Sequence, residues 1–207
     1  MVSDRLQLTS WRRTVARLYA EVRAQADPAE GHAIWRAGRD DLFLHHPQSP
    51  LTEDDPMRET GVPYWPYQPQ LRFTVPLLPA DEQQLKIPTS TDGVIGMHRI
   101  GRIELPAVPD FAGFSLDVWW LEQYGGGLFL PLRDGTAAHE SYGAGRYLLD
   151  TAKGADLGGD DESIVVDLNF AYHPSCRYNY RWECPLAQEG NRTDVRVEAG
   201  ELLNPLS

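Results

Sequence analysis

Apolar residues recur at intervals of three and four near the start of the chain, with arginines between them. The recurring apolar positions are Leu8, Trp11, Val15, Leu18, Tyr19 and Val22. This spacing places them on one face of a helix, so we predict an amphipathic helix from residue 4 to about residue 26. Asp27-Pro28 ends it, because a proline disfavours helical geometry in the residue before it. A second, shorter helix is predicted from Pro28 to about residue 44.

Beyond Val62 the pattern changes to short stretches in which apolar and polar residues alternate, as in strands with one buried face. The predicted strands are 71–75, 84–89, 94–105, 114–121, 128–132, 163–169 and 193–199. Their close spacing and glycine turns favour antiparallel pairing. We therefore predict an α+β fold, in which residues 62–200 form a dominant antiparallel β-barrel or barrel-like sheet. The helices in residues 1–45 cover one end of it.

Length, composition and charge narrow this picture. The 207 residues suffice for one domain with one substantial core, and 18 glycines and 16 prolines indicate many turns. The formal net charge of −11 repels phosphate backbones and anionic lipid surfaces, so we expect neither nucleic acid nor a membrane as a partner. The first five residues lack the apolar core of a signal peptide, and we expect a cytoplasmic protein.

A glycine-rich stretch supplies the first candidate site residues. Glu140, Tyr142 and Arg146 fall within seven residues, and glycines between them allow a sharp turn. An arginine in such a loop can clamp a carboxylate or phosphate through two parallel hydrogen bonds. The structural alternative is that Arg146 pairs with Asp134, Glu140 or Asp167 and ties the loop to the sheet.

The predicted strand 163–169 supplies a second set. Asp167 and Asn169 are two residues apart, so they point to the same face, and a buried aspartate with a shifted pKa would suit a general base. The alternative is a brace that is hydrogen-bonded to loop backbone. We take Asp167 and Glu140 as candidate acid–base residues. The candidate ligand-binding residues are Arg146, Tyr142, Asn169, Tyr172, Asp134, Thr136 and His173.

Metal and thiol chemistry receive less support. No two histidines have ligand spacing on one element, so we predict no metal site. Cys176 and Cys184 are interpreted as thiols of a reducing compartment, at least one of them packed in the core, although their separation also permits a loop-closing disulfide. Cys176 would act as a nucleophile if His173, Asp167 and Asn169 surrounded it.

Short motifs along most of the chain carry a resemblance to a known family. They are Trp11-Arg12, Arg39-Asp40, Ser49-Pro50-Leu51, 129–136, Glu140-Ser141-Tyr142, Gly145-Arg146-Tyr147, 167–176, Cys184-Pro185-Leu186, Asn191-Arg192 and Ala199-Gly200-Glu201. On these residues the chain resembles DUF1684, a family of uncharacterised bacterial proteins. It departs from the family pattern at Leu168, His173 and Gly190, where an aromatic residue, an asparagine and a glutamate are usual.

The resemblance implies a mainly β protein with N-terminal helices and no assigned activity. Such chains also look similar to flavin-binding split barrels, which are usually dimers, so a homodimer is an expectation. We predict binding of a small polar or anionic metabolite in the barrel, with acid–base catalysis as an extension. Two alternatives stay open: a flavin-dependent oxidoreductase, and a non-catalytic module whose aromatic clusters meet a partner protein. The cofactor stays unassigned.

Overall fold

The computed structural model describes residues 2–88, 93–122 and 124–205. Helices α1 (Val2–Arg23) and α2 (Pro28–His45) open the chain, and a short helix, α3 (Met57–Thr60), follows. Both predicted helices are confirmed. α1 ends earlier than predicted, and Asp27 caps α2, where its carboxylate accepts a hydrogen bond from the N–H of Ala29.

The strands come next and form two antiparallel sheets. They are β1 (Arg72–Pro76), β2 (Gln84–Pro88), β3 (Val94–Leu105), β4 (Phe114–Leu121), β5 (Leu128–Leu132), β6 (Arg146–Asp150) and β7 (Ser163–Asp167). The larger sheet has the order β2-β3-β4-β5-β6, and β1 pairs with β7 in the smaller one. The predicted α+β class with N-terminal helices is therefore confirmed, while the predicted end of β2 at Thr89 falls outside the described residues.

The element that the sequence analysis missed is β6. Its five residues were interpreted as part of a glycine-rich loop, but they pair with β5 and are all buried. Because both faces of this strand are covered, its sequence Arg-Tyr-Leu-Leu-Asp shows no alternation of apolar and polar residues. The charged residues at its two ends made it resemble a loop.

Two predicted strands also differ from the structure. β7 stops at Asp167, because the Asp167 carboxylate accepts the N–H of Asn169 and starts a 3-10 turn over Leu168–Phe170. The stretch 193–199 forms no strand: its backbone makes hydrogen bonds to separate partners but joins neither described sheet. Its alternating pattern arises because Val197 and Ala199 point into the core.

The ladders do not close into a barrel within the residues that the structure describes. Single bridges link the larger sheet to the segments that follow β1 and β7: Arg102 of β3 pairs with Leu78, and Tyr147 of β6 pairs with Tyr172. Apolar side chains from both sheets pack together between them, among them Phe73, Ile103, Leu116, Leu130, Leu148 and Val166. The space between the two sheets is thus filled by the apolar side chains of the core.

A second apolar cluster joins the helices to the sheets. Leu18 and Tyr19 of α1 and Trp35 of α2 pack there against Phe170 and Leu157. The Trp35 and Phe170 ring centroids are 4.9 Å apart. None of the described helices has both the length and the apolar character needed to cross a bilayer.

A buried ion pair holds the C-terminal segment on the sheets. Arg146 begins β6, and its Nη2 lies 3.0 Å from Oδ1 of Asp134, with both side chains fully buried. Asp134 Oδ2 accepts hydrogen bonds from the hydroxyl of Thr136 and the N–H of Val197. The guanidinium also donates to three backbone carbonyls, those of Val197, Ala199 and Glu201. The structural alternative weighed for Arg146, pairing with Asp134, is the arrangement observed.

We expect Arg146→Ala to lower the free energy of unfolding by about 3–5 kcal/mol, because it leaves the Asp134 carboxylate buried without its charge partner. Urea unfolding followed by circular dichroism measures the change. Arg196→Ala is the matched control, since Arg196 pairs with Glu140 at the surface and should alter stability little. Similar losses in both variants would contradict the structural role of the buried pair.

Candidate functional site

A cavity of about 90 Å³ lies where α1 and α2 meet the end of β6 and the segment after β7. We call it the helix–sheet cavity. Trp11, Trp35 and other apolar side chains of the two helices form one wall. Its polar lining includes Tyr19, Asp150, Lys153, Tyr172, His173 and Cys184. Apolar walls with a few converging polar groups are typical of small-molecule sites.

Two further cavities adjoin this one. A cavity of about 110 Å³ shares Trp11, Lys153 and Cys184 with it, and one of about 290 Å³ shares Asp150 and Lys153. The Lys153 side chain lines all three, so they surround it as parts of one depression, which we call the Lys153 cleft. A ligand larger than the helix–sheet cavity therefore has room to extend outward.

Lys153 is positioned by a tight turn packed on α1. It ends the 3-10 helix Thr151–Lys153 that directly follows β6, and Gly154 comes next with a φ of +88°. A Cβ at Gly154 would lie 3.2 Å from the Cα of Ala16 on α1, so the turn needs glycine both for its conformation and for this close approach. α1 and the end of β6 thereby fix the lysine in the cleft.

Asp150, the last residue of β6, contributes an unusual carboxylate. Its Oδ2 lies 3.2 Å from Nζ of Lys153, and the aspartate side chain is 2% exposed whereas the lysine side chain is half-exposed. The other oxygen, Oδ1, has no hydrogen-bond partner among the described residues. Because nearly all buried polar atoms have a partner, this oxygen needs a donor from water or from a ligand.

The hydroxyl of Tyr19 faces the same cavity from α1. It too is buried, and no described group forms a hydrogen bond with it, although the Trp35 side chain is near enough to lower its pKa slightly. Burial raises the pKa of Tyr19, more than the nearby Arg39 charge lowers it, so the side chain stays neutral. The hydroxyl can therefore donate or accept a hydrogen bond from a bound molecule.

Cys184 brings a thiol to the wall that two of the cavities share. Its pKa is lowered to about 6, first by a hydrogen bond from the Cys176 thiol, against the opposing effect of burial. The backbone N–H of Cys176, the charge of Lys153 and the hydroxyl of Tyr147 add to this. The same contact raises the pKa of Cys176. Within the pair, these contacts therefore favour the thiolate at Cys184 and the thiol at Cys176.

His173 is neutral and acts as a fixed hydrogen-bonding group. Burial lowers the pKa of His173 well below its usual range, and the charges of nearby arginines lower it further. Its Nε2 accepts the N–H of Tyr142 at 3.1 Å, and its Nδ1 lies 3.5 Å from Oε2 of Glu201. The protonatable group that distinguishes this chain from the family pattern is thus held uncharged.

Glu201 is a central residue that the sequence analysis did not select. It is fully buried, and its carboxylate accepts hydrogen bonds from the guanidinium of Arg39, the N–H of His173 and the hydroxyl of Tyr178. Its motif, Ala199-Gly200-Glu201, was visible in the sequence, but a glutamate near a C-terminus is most often exposed. The sequence analysis did not select Asp150 and Lys153 either. The signal that could have identified Asp150 is its position as an acidic residue at the end of an apolar run, shortly before a glycine turn.

Two of the nine predicted site residues, Tyr172 and His173, line the helix–sheet cavity. Tyr142 does not line this cavity; its backbone N–H donates to Nε2 of His173, and burial raises the pKa of its hydroxyl. Asp134, Thr136 and Arg146 belong to the buried brace of the C-terminal segment.

The remaining three predicted residues lie elsewhere. Asp167 Oδ1 accepts both the N–H and the Nδ2 of Asn169, whose side chain also bonds the backbone of Gln68. Burial raises the pKa of Asp167, although Asn169 and Arg72 oppose this. Glu140 is exposed and pairs with Arg196 at 2.9 Å, and the hydrogen bond from Arg196 lowers its pKa. The structure thus brings Asp167 and Asn169 together but places neither them nor Glu140 in the cavity lining.

A family model covers most of this site. The model of DUF1684, described as a protein of unknown function, matches residues 59–202. The chain belongs to the DUF1684 family. The matched region contains Asp150, Lys153, Cys176 and Cys184, whereas the helical wall of the cavity, α1 and α2, precedes it.

One similar solved structure is also of an uncharacterised protein. It comes from Haloarcula marismortui, was determined by NMR in solution, and is 29% identical to this DUF1684 chain. The match has a TM-score of 0.55 and covers 81% of this chain and 89% of the other. No curated protein matches the chain. The fold and family are therefore shown without a function attached to either.

We expect iodoacetamide to alkylate Cys184 with a pH midpoint near 6. Only the thiolate reacts, so a lowered pKa moves the rise in rate from the ordinary range near 9 down to about 6, with a plateau above it. Peptide mass spectrometry after timed alkylation gives the profile. Cys176→Ala removes the donating thiol and should raise the midpoint. A wild-type rate that still climbs steeply above pH 8 would contradict the assignment.

Proposed function

We propose that this DUF1684 protein binds a small polar molecule in the Lys153 cleft, with a hydrogen-bond donor of the ligand at Asp150. The observation that carries the proposal is the buried Oδ1 of Asp150, which has no partner in the described chain. An unsatisfied buried acceptor costs about 1–3 kcal/mol, more when it is charged. An N–H or O–H group of a ligand would remove this cost, which favours bound over empty protein.

The other groups of the cleft suggest the rest of the ligand. Lys153 is half-exposed at the junction of the three cavities, where its ammonium can attract a carboxylate or a phosphate. The indole rings of Trp11 and Trp35 offer apolar surface to a short carbon skeleton between the two polar ends. The ligand class predicted from the sequence, polar or anionic, is retained.

The location and the anchor differ from the sequence-based prediction. The predicted pocket lay inside a barrel, whereas the proposed cleft lies between the helices and the end of β6. Arg146 is not proposed as an anchor, because both of its Nη atoms donate to Asp134 or to backbone carbonyls and its fully buried side chain lies outside the cavity lining. Acid–base catalysis by Asp167 or Glu140 is also left out of the proposal, since both carboxylates are engaged outside the cavity lining.

The volume limits the inner end of the ligand. A cavity of about 150 Å³ holds benzene, and the helix–sheet cavity is smaller. The group that enters it toward Asp150 should therefore be smaller than an aromatic ring, such as an amine, a hydroxyl or a small amide. Anything bulkier must lie in the outer cavities beside Lys153.

We expect a library of small amines, alcohols, amides and amino acids, screened by ligand-observed NMR, to give hits that carry an N–H or O–H donor. Asp150→Ala should weaken them about 10-fold to 100-fold, because a hydrogen bond to a charged group contributes about 1.5–3 kcal/mol. Glu140→Ala is the matched control, since it removes a surface carboxylate away from the cleft, and should bind as the wild type does.

Three results would contradict the proposal: no hits, hits without donors, or equal binding by Asp150→Ala. Native mass spectrometry and visible absorption of the purified protein complete the test. A bound yellow cofactor that persists in Asp150→Ala would favour the flavin-dependent alternative, because the cofactor would then supply the chemistry.

A further inference from the structure

A pair of thiols at the edge of the cleft is the second feature that calls for a function. Cys176 and Cys184 are free and partly exposed, and the two side chains are close enough that each is the first cause of the other's pKa shift. A packed structural cysteine is inert because it is buried and protonated. Cys184 differs, since it lines two cavities together with Lys153, whose charge favours its thiolate.

We propose that the two cysteines form a peroxide-reactive pair, in which Cys184 is oxidised first and Cys176 then closes an intrachain disulfide with it. Accessible thiolates next to a second cysteine are the arrangement that responds reversibly to oxidants. Hydrogen peroxide, little larger than water, fits cavities of about 90 and 110 Å³ at the sulfur. This proposal does not depend on the identity of the cleft ligand.

The first step oxidises Cys184. Its thiolate attacks one oxygen of the hydroperoxide, an S–O bond forms, and the O–O bond breaks. The thiolate becomes a sulfenic acid, and the departing hydroxide, or alkoxide from an organic hydroperoxide, takes up a proton to leave as water or alcohol. The ammonium of Lys153, which lines the same two cavities as Cys184, would stabilise the negative charge that develops on the departing oxygen.

The second step uses the neighbouring thiol. The sulfur of Cys176 attacks the sulfenic sulfur of Cys184, the S–S bond forms and the S–O bond breaks. The hydroxide that leaves combines with the proton of Cys176 to give water. Overall the two thiols lose two electrons, and the hydroperoxide gains them.

The chain around the two cysteines allows them to meet. Cys176 lies in the three-residue 3-10 helix Ser175–Arg177, and Cys184 lies in irregular chain. The segment between them contains the fully exposed Tyr180 and belongs to neither sheet, and the hydrogen bonds that its N–H groups donate go to residues within the same stretch of chain. Closing such a short loop displaces no strand of either sheet, so the disulfide can form and be reduced again without unfolding.

The test treats the reduced full-length protein with stoichiometric hydrogen peroxide at pH 7. Samples are quenched with N-ethylmaleimide and examined by intact and peptide mass spectrometry. In the wild type we expect both thiols to disappear together and a peptide linked through Cys176 and Cys184 to appear, independently of protein concentration. Disulfides between chains, or loss of one thiol alone, would overturn the proposal without recourse to any variant.

Single variants separate the roles of the two sulfurs. In Cys176→Ala, dimedone should trap a sulfenic acid at Cys184, because no second thiol can resolve it. In Cys184→Ala, Cys176 should react at least about tenfold more slowly than Cys184 does, since it is a thiol and not a thiolate. Comparable rates for the two residues, or dimedone on Cys176, would overturn the proposal. Circular dichroism confirms that each variant is folded.

Discussion

The buried guanidinium of Arg146 is the contact on which the rest of the structure depends. It joins the start of β6 to Asp134 and to the carbonyls of the C-terminal segment, which forms no strand of its own. That segment includes Glu201, whose carboxylate accepts a hydrogen bond from Arg39 of α2. Hydrogen bonds from two arginines therefore connect the larger sheet to the C-terminal segment and this segment to α2. The Lys153 cleft lies where these parts of the structure meet.

Two buried carboxylates near this junction differ in what surrounds them. Glu201 accepts hydrogen bonds from a guanidinium, a backbone N–H and a tyrosine hydroxyl, so its binding capacity is used within the protein. Asp150 has a partly exposed lysine at one oxygen, and its other oxygen accepts no hydrogen bond from the residues that the structure describes. Burying a charge is tolerated only when partners compensate it. Glu201 thus has a structural role. Asp150 has an acceptor oxygen that water or a ligand can satisfy.

The sequence correctly predicted those strands whose own residues show the strand pattern between two turns. The strands Phe114–Leu121 and Leu128–Leu132 were predicted residue for residue, because turns bound each of them. β6 was not predicted because both of its faces are covered. Its sequence therefore lacks the alternation of apolar and polar residues, and only its pairing with β5 identifies it as a strand. The sequence could indicate that Arg146 would pair with Asp134, one of three acids considered. It could not indicate that the Nη atoms of Arg146 would also donate to backbone carbonyls of residues 197–201.

The candidate site could be predicted only in part for a related reason. Tyr172 and His173 were found because they belong to a conspicuous motif. Asp150 and Lys153 acquire their properties from α1, which lies more than 120 residues earlier and packs on Gly154. The burial of Asp150 results from that packing, and so does the lack of a partner for its Oδ1. Neither property can be predicted from the neighbouring residues in the sequence.

The proposed binding site and the proposed thiol pair share one cation. Lys153 contacts the carboxylate of Asp150 and lowers the pKa of Cys184 by its charge. Oxidation of Cys184 would remove a negative charge from the cleft, so the ammonium would attract an anionic ligand more strongly. By reciprocity, a bound anion would compete for the same ammonium, raise the pKa of Cys184 and slow its oxidation. A shared lysine is therefore sufficient to couple the two sites, with no movement of the fold.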